Sequence, residues 1–178
     1  MNFETLETDR LILRKLSPSD FTRIFENYSQ EEIMELLGHT SEEEYIQEQI
    51  KCQKGYTTYN RSVEHFQIID KKSMNIIGSC KFHNWYLDHK RAELGYAITN
   101  EDFKGIGIMS ETLKPLIEYG FSIMGLHRIE AYVGSNNIPS LKLMEKFNFI
   151  KEGYLRQHYF IDGNFEDSVL FSKLSTDL

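Results

Sequence analysis

The apolar run Leu11-Ile12-Leu13, set between Arg10 and Arg14-Lys15 and followed by Leu16, makes Arg10-Leu11-Ile12-Leu13-Arg14-Lys15-Leu16 read as a first strand. Ser17-Pro18-Ser19-Asp20 then supplies a cap, a proline in the first turn and an early acid, the pattern of a helix start. Ser41-Glu42-Glu43-Glu44 has capping-box spacing and opens a second helix to about Gly55. Val63–Asp70 and Ile76–Leu87 read as strands paired across the polar turn Lys71-Lys72-Ser73-Met74-Asn75, and Arg91–Thr99 as a further strand. Met109, Leu113, Leu116, Ile117, Phe121 and Met124 fall on one stripe at helical spacing, with Pro115 inside the run predicting a kink. Arg128–Gly134 is a strand, after which Asn137 or Ile138 caps a helix through Phe147. Phe149–Ile161 and Phe165–Leu174 close as a hairpin around Asp162-Gly163-Asn164.

This order predicts a mixed α/β (α+β) fold: a mostly antiparallel sheet of six to seven strands, about four flanking helices and one parallel step. A chain of 178 residues, 40% hydrophobic and 13% aromatic, has material for one domain spanning residues 1–178. No run approaches the roughly 18–20 apolar residues that span a membrane, and Met1-Asn2-Phe3-Glu4 lacks a secretory pattern. Cys52 and Cys80 lack metal or redox spacing, and the six histidines show no ligand spacing. The expectation is a cytoplasmic protein with no metal and no membrane partner.

The net charge of −7 is unevenly placed: residues 1–50 hold twelve acids and four bases, the remainder fifteen and sixteen. No basic face argues for nucleic acid. The acidic block either attracts a cationic acceptor or is a set of solvated helix faces.

Candidate chemistry begins at Phe103-Lys104-Gly105-Ile106-Gly107-Ile108-Met109-Ser110. Two glycines between a strand and a helix let the backbone curl with its N–H groups pointing one way, an anion site. A P-loop would need Gly-x-x-x-x-Gly-Lys-Ser/Thr, which does not occur. A dinucleotide fingerprint would need glycine where Ser110 stands, within an early βαβ unit.

The turn resembles the pyrophosphate loop of the GNAT N-acetyltransferase superfamily, Gln/Arg-x-x-Gly-x-Gly/Ala, here Asp102-Phe103-Lys104-Gly105-Ile106-Gly107. The resemblance extends from about residue 6 to 175. It includes Thr8-Asp9-Arg10-Leu11-Ile12-Leu13-Arg14, Ala92-Glu93-Leu94-Gly95-Tyr96, Leu126-His127-Arg128-Ile129-Glu130 and Asn137-Ile138-Pro139-Ser140. Glu145-Lys146-Phe147-Asn148-Phe149 and Glu152-Gly153-Tyr154-Leu155-Arg156 complete the series. These motifs are similar to the Rim-type branch, the ribosomal-protein N-terminal acetyltransferases and their relatives. Asp102 stands where the loop has a basic or amide residue, and Asn148 where most relatives have glycine; asparagine tolerates the left-handed backbone.

The resemblance implies direct acetyl transfer from acetyl-CoA to an amine. It implies a GNAT-like sheet whose splayed parallel strand pair holds the donor. Phosphates would lie on Phe103, Lys104, Gly105, Ile106, Gly107 and Ile108, and the pantetheine arm along Tyr96, Ala97 and Ile98, with Asn137 helping to hold it. Ser140 takes the position of the acid that protonates the departing thiolate, since the tyrosine used by other members would fall at Met144. Glu93 occupies a position where several branches keep their base, and alternation puts it on one face with Gly95 and Ala97. Close Rim-type relatives place their glutamate instead at the position of Tyr159, beside His158, which is itself able to titrate near neutrality. The acceptor would be a protein N-terminal α-amine or a small cationic amine such as a polyamine or an aminoglycoside. The alternatives of a non-catalytic CoA-binding module and of a homodimer stay open.

Overall fold

The structure, a computed structural model, describes residues 2–57 and 61–177. Among these, the strands are β1 (Thr5–Glu7), β2 (Leu11–Leu16), β3 (Arg61–Asp70), β4 (Ile76–Tyr86), β5 (Arg91–Ile98), β6 (Arg128–Gly134), β7 (Ile150–Ile161) and β8 (Asn164–Leu174). The helices are α1 (Pro18–Asn27), α2 (Gln30–Leu37), α3 (Glu42–Lys54), α4 (Ile108–Ser122) and α5 (Ile138–Lys146). The strands form one sheet in the order β1-β2-β3-β4-β5-β6-β8-β7. Every neighbouring pair is antiparallel except β5 with β6.

Strand alternation sorts the core. Leu11, Leu13, Phe66, Ile68, Phe82, Leu94 and Ile129 bury one face under Leu113, Leu116 and Ile117 of α4 and Met144 of α5. Burying a Leu- or Phe-sized side chain stabilises by about 1.5–3 kcal/mol, so this face dominates the fold. The opposite face carries a smaller cluster, Leu16 with Phe21, Ile24 and Ile33 of α1 and α2. There Arg14 and Gln67 both donate to the Leu36 carbonyl, at 2.6 and 3.1 Å, satisfying a free carbonyl at the end of α2 and docking that helix on the sheet.

The predicted architecture stands, with two corrections of count. An eighth strand, β1, has only three residues and too short an alternation to show in the sequence. The segment 18–55 holds three helices instead of two, because Ser29 and Glu32 form a complete capping box that starts α2. Ser41 caps α3 as expected, but the Glu44 carboxylate reaches past it to Thr40 N at 2.6 Å. Helix α4 runs unbroken through Pro115 from Ile108 to Ser122. Asn148 is left-handed at φ +55°, and Phe149 N bonds Met144 O at 2.9 Å, the closure that a glycine would otherwise provide.

Candidate active site

The glycine turn is built as its residues require. Gly105 and Gly107 have φ of +75° and +84°, a region costly for any residue with a Cβ. Gly107 is the N-cap of α4 and offers no side-chain acceptor to the first helical N–H groups, which therefore face outward without a cap. A Cβ on Gly105 would meet nothing within 4 Å, so the space above the turn is open. Phe103 and Lys104 precede it at the end of a short 3-10 turn, Glu101–Phe103.

A long-range clamp fixes this turn. The Glu111 carboxylate accepts from Thr8 Oγ1 at 2.6 Å, Arg10 N at 2.8 Å and Arg10 Nε at 2.6 Å. Arg10 Nη1 in turn donates to Ile106 O at 3.2 Å. Burial alone would raise the Glu111 carboxyl, but the Thr8 and Arg10 hydrogen bonds hold it below the ordinary carboxylate range.

Beside the turn the sheet opens. β5 and β6 pair only over Arg91–Glu93 against Arg128–Glu130. Beyond Glu93, β5 stays on β4 as far as Ile98, while β6 stays on β8 as far as Gly134. Each strand thus keeps its outer partner and loses the inner one, leaving two facing edges without ladder partners. A cavity of about 160 Å³ lies there, lined among others by Leu94, Tyr96, Tyr132, Gly134, Asn137 and Ser140. Asn137 Oδ1 caps α5 by accepting from Ser140 N at 3.2 Å. The Tyr96 hydroxyl is buried and makes no hydrogen bond, as is the Ser110 hydroxyl in the first turn of α4.

On the other side of the sheet Glu93 lies where the pairing stops. Its carboxylate accepts from Asn84 Nδ2 at 3.0 Å and lies 3.4 Å from His83 Nε2. Asn84 reaches it because the β4–β5 register shifts between His83 and Tyr86, with Asn84 left-handed at φ +46°. Burial pushes the His83 imidazole down against the pull of Glu93, so it is neutral at pH 7. Arg91 and Arg128 do not pair with Glu93; both bind Glu130, and Arg128 also binds Glu152. His158 Nδ1 lies 2.7 Å from Ser168 Oγ and its ring 4.3 Å from Tyr159 and 5.1 Å from Tyr132. A second bulge, at left-handed Gln157, aims this part of β7. Burial and the Glu93 charge both raise the Tyr159 phenol, so it is a proton donor at neutral pH and not a base.

The structure thus brings Ser140, Asn137 and Tyr96 to one side of the opening, and Glu93, His158 and Tyr159 to the other. Ala97 and Ile98 continue β5 along the opening. Sequence reasoning missed His83, although antiparallel pairing of β4 with β5 across residues 87–90 places it directly opposite Glu93. It also missed Asn84, Tyr132 and the Thr8–Arg10–Glu111 clamp. Among the described residues no group of three metal-ligating side chains converges, and no helix is long and apolar enough to cross a membrane.

The model of the acetyltransferase (GNAT) domain matches residues 10–150. The chain belongs to the GNAT acetyltransferase family. It is 36% identical over 172 residues to the uncharacterized N-acetyltransferase YoaA of Bacillus subtilis, covering 96% of each chain. It is 29% identical to the [ribosomal protein uS5]-alanine N-acetyltransferase of Escherichia coli, covering 97% of this chain and 91% of that one. The spermidine N(1)-acetyltransferase of Vibrio cholerae is 27% identical over 61% of this chain and 65% of its own. The fold matches the crystal structure of a ribosomal-protein-S5-alanine acetyltransferase from Vibrio fischeri at a TM-score of 0.72 and 23% identity, over 98% of both chains. As a GNAT N-acetyltransferase, the chain is an enzyme with acetyl-CoA as its acetyl donor.

Proposed function

We propose that this GNAT enzyme acetylates a protein N-terminal α-amine, with the acetyl-CoA thioester at the mouth of the β5–β6 opening. The single observation that carries the site is the loss of β5–β6 pairing after Glu93, which leaves two strand edges for an extended ligand. Three further features fit the donor: the uncapped start of α4, the open space over Gly105 and the orphaned Tyr96 hydroxyl. Phe103 to Ile108 would hold the phosphates by backbone N–H groups. Edge groups of Tyr96, Ala97 and Ile98, with Asn137, would hold the pantetheine arm.

The donor supplies the acetyl group as a thioester. Glu93, held by Asn84, takes the proton that the attacking amine nitrogen releases, through water, and neutral His83 is placed to share it. Ser140 gives a proton to sulfur as the carbon–sulfur bond breaks, so the charges of both partners are cancelled. Tyr159 and His158 border the acceptor side; a raised phenol suits Tyr159 to hydrogen-bonding the acceptor instead of deprotonating it.

The α-amine reading draws on the near full-length similarity to the uS5-alanine enzyme. A second reading, a small cationic amine such as spermidine, draws on the spermidine relative and on the acidic helices. Part of that acidity is already committed: Glu32 caps α2, Glu44 bonds Thr40, and Glu48 binds Tyr56 and Lys51. The test is CoA-thiol release with peptides bearing free N-termini, the same peptides blocked, spermidine and an aminoglycoside. Release with free N-termini alone supports the proposal. Release with the small amines alone moves the acceptor to the second reading.

A further inference from the structure

Glu93 is a carboxylate among neutral neighbours. Its side chain is 14% exposed, and its contacts are Asn84 Nδ2 and the neutral His83 ring. Arg91 and Arg128, the arginines nearest along β5 and β6, are both taken by Glu130. Among the described residues no lysine or arginine lies within ion-pair distance of Glu93. A carboxylate this enclosed is costly without a positive partner. Three rings gather beside it. The ladder sets Glu130 opposite Glu93, so Glu130 and, two residues on, Tyr132 point to the face that carries Glu93. Tyr132 is the first side chain of β6 on that face after the β5–β6 pairing ends, and it lines the opening. Ser168, opposite Gly134 on the same face, holds His158, whose ring meets Tyr132 at 5.1 Å and Tyr159 at 4.3 Å. Burial raises the Tyr132 phenol, Glu130 and Glu93 add to the rise, and Arg91 and Arg128 oppose it; burial, Glu93 and Tyr132 raise that of Tyr159. Both phenols lie within the field of Glu93 and both stay neutral, so neither cancels its charge.

We propose that Tyr132 and Tyr159, with Glu93, form the subsite that takes the acceptor nitrogen as a cation, in its ammonium form, ahead of deprotonation. This rests on the acceptor entering on the Glu93 side of the opening. It holds for an α-amine and for a polyamine alike, since both are largely protonated at neutral pH. The negative faces of aromatic rings attract a cation, and they do so more strongly where water is excluded. Glu93 supplies the opposite charge, and the rings supply an apolar wall that a fully hydrated ion does not fit. Tyr132 and Tyr159 are therefore specificity residues: they favour a positively charged amine over neutral nucleophiles such as alcohols and water.

The probe is the tetramethylammonium ion, which carries the charge but has no proton to lose and no lone pair to attack. Its control is tert-butanol, a neutral molecule of similar size and shape. Binding of each to the full chain saturated with CoA is followed by saturation-transfer NMR on the methyl signal. The forms compared are wild type, Tyr132→Phe, Tyr132→Leu, Tyr159→Leu and Glu93→Gln. Tetramethylammonium should bind wild type saturably and about tenfold or more tighter than tert-butanol. Tyr132→Phe, which keeps the ring, should stay within about twofold, while Tyr132→Leu and Tyr159→Leu each weaken binding about fivefold. Glu93→Gln should weaken the ion and leave tert-butanol unchanged. Equal binding of the two probes would reveal an apolar hollow and overturn the proposal. Full affinity in the leucine variants would remove the tyrosines from the subsite and overturn it as well. The ion should also raise KM, and not lower kcat, for whichever amine supports CoA-thiol release; binding without competition overturns the placing of the acceptor. If spermidine alone is acetylated and the ion still binds through Tyr132, the α-amine reading fails and this subsite stands.

Discussion

Glu111→Gln tests how the glycine turn proposed for the donor's phosphates is held. The carboxylate lies in the first turn of α4 and receives three hydrogen bonds of 2.6–2.8 Å, from Thr8 and from two atoms of Arg10. Glutamine keeps the volume but offers one acceptor oxygen and turns an NH₂ toward a group that is itself a donor. At least one charge-assisted bond is lost, and each is worth about 1.5–3 kcal/mol where desolvated. Side-chain exposure of 45% for Arg10 and 19% for Glu111 argues for the lower end. A net loss of about 2 kcal/mol lowers the melting temperature by roughly 4–8 °C in a chain of this size. Arg10 also carries the bond to Ile106 O inside the turn, so its release loosens the cradle. Dissociation of acetyl-CoA, read by titration calorimetry, should weaken about fivefold to tenfold, the equivalent of about 1–1.4 kcal/mol. An unchanged melting temperature would refute the clamp. A lowered one with unchanged affinity would show that the clamp serves the fold and not the turn.

Gly105→Ala should leave a folded protein, at a cost of about 1–2 kcal/mol for a Cβ at φ +75°, and should weaken acetyl-CoA binding more than tenfold in the same titration. Full affinity would place the phosphates elsewhere. His65 faces Phe21 edge-on, and burial lowers its imidazole to about 4 against the attraction of Glu48. The native state therefore stays neutral where the unfolded chain, at about 6.5, already takes a proton. Unfolding free energy should be full above about pH 6.5 and fall as pH drops toward 4, by up to about 3 kcal/mol. His65→Gln should flatten that stretch of the denaturation profile, and an unchanged slope would contradict it.

Much of this was legible because the signals are local. The periodicities of 11–16 and 108–122, the turn at 162–164 and the N-cap at Asn137 need only nearest neighbours in the chain. Asn148 shows the same logic, since a left-handed requirement admits asparagine. Ser29 carried its signal too, in Ser-x-x-Glu, but it interrupts a polar stretch that reads as continuous helix. What stayed hidden is long-range or irregular. Arg10 and Glu111 are 101 positions apart, and nothing local marks them as partners. The Asn84 and Gln157 bulges turn side chains off the simple alternation, so the surroundings of Glu93 and the direction of His158 could not be counted out by twos. The buried Tyr96 hydroxyl is a matter of three-dimensional packing that residue spacing does not express.

The most direct measurement is mass spectrometry of a peptide that carries both a free N-terminus and an internal lysine, after incubation with the protein and acetyl-CoA. The account predicts a single acetyl group on the α-amine, absent when the N-terminus is blocked. Acetyl on the lysine side chain, or an unmodified peptide alongside acetylated spermidine in the same vessel, would contradict it.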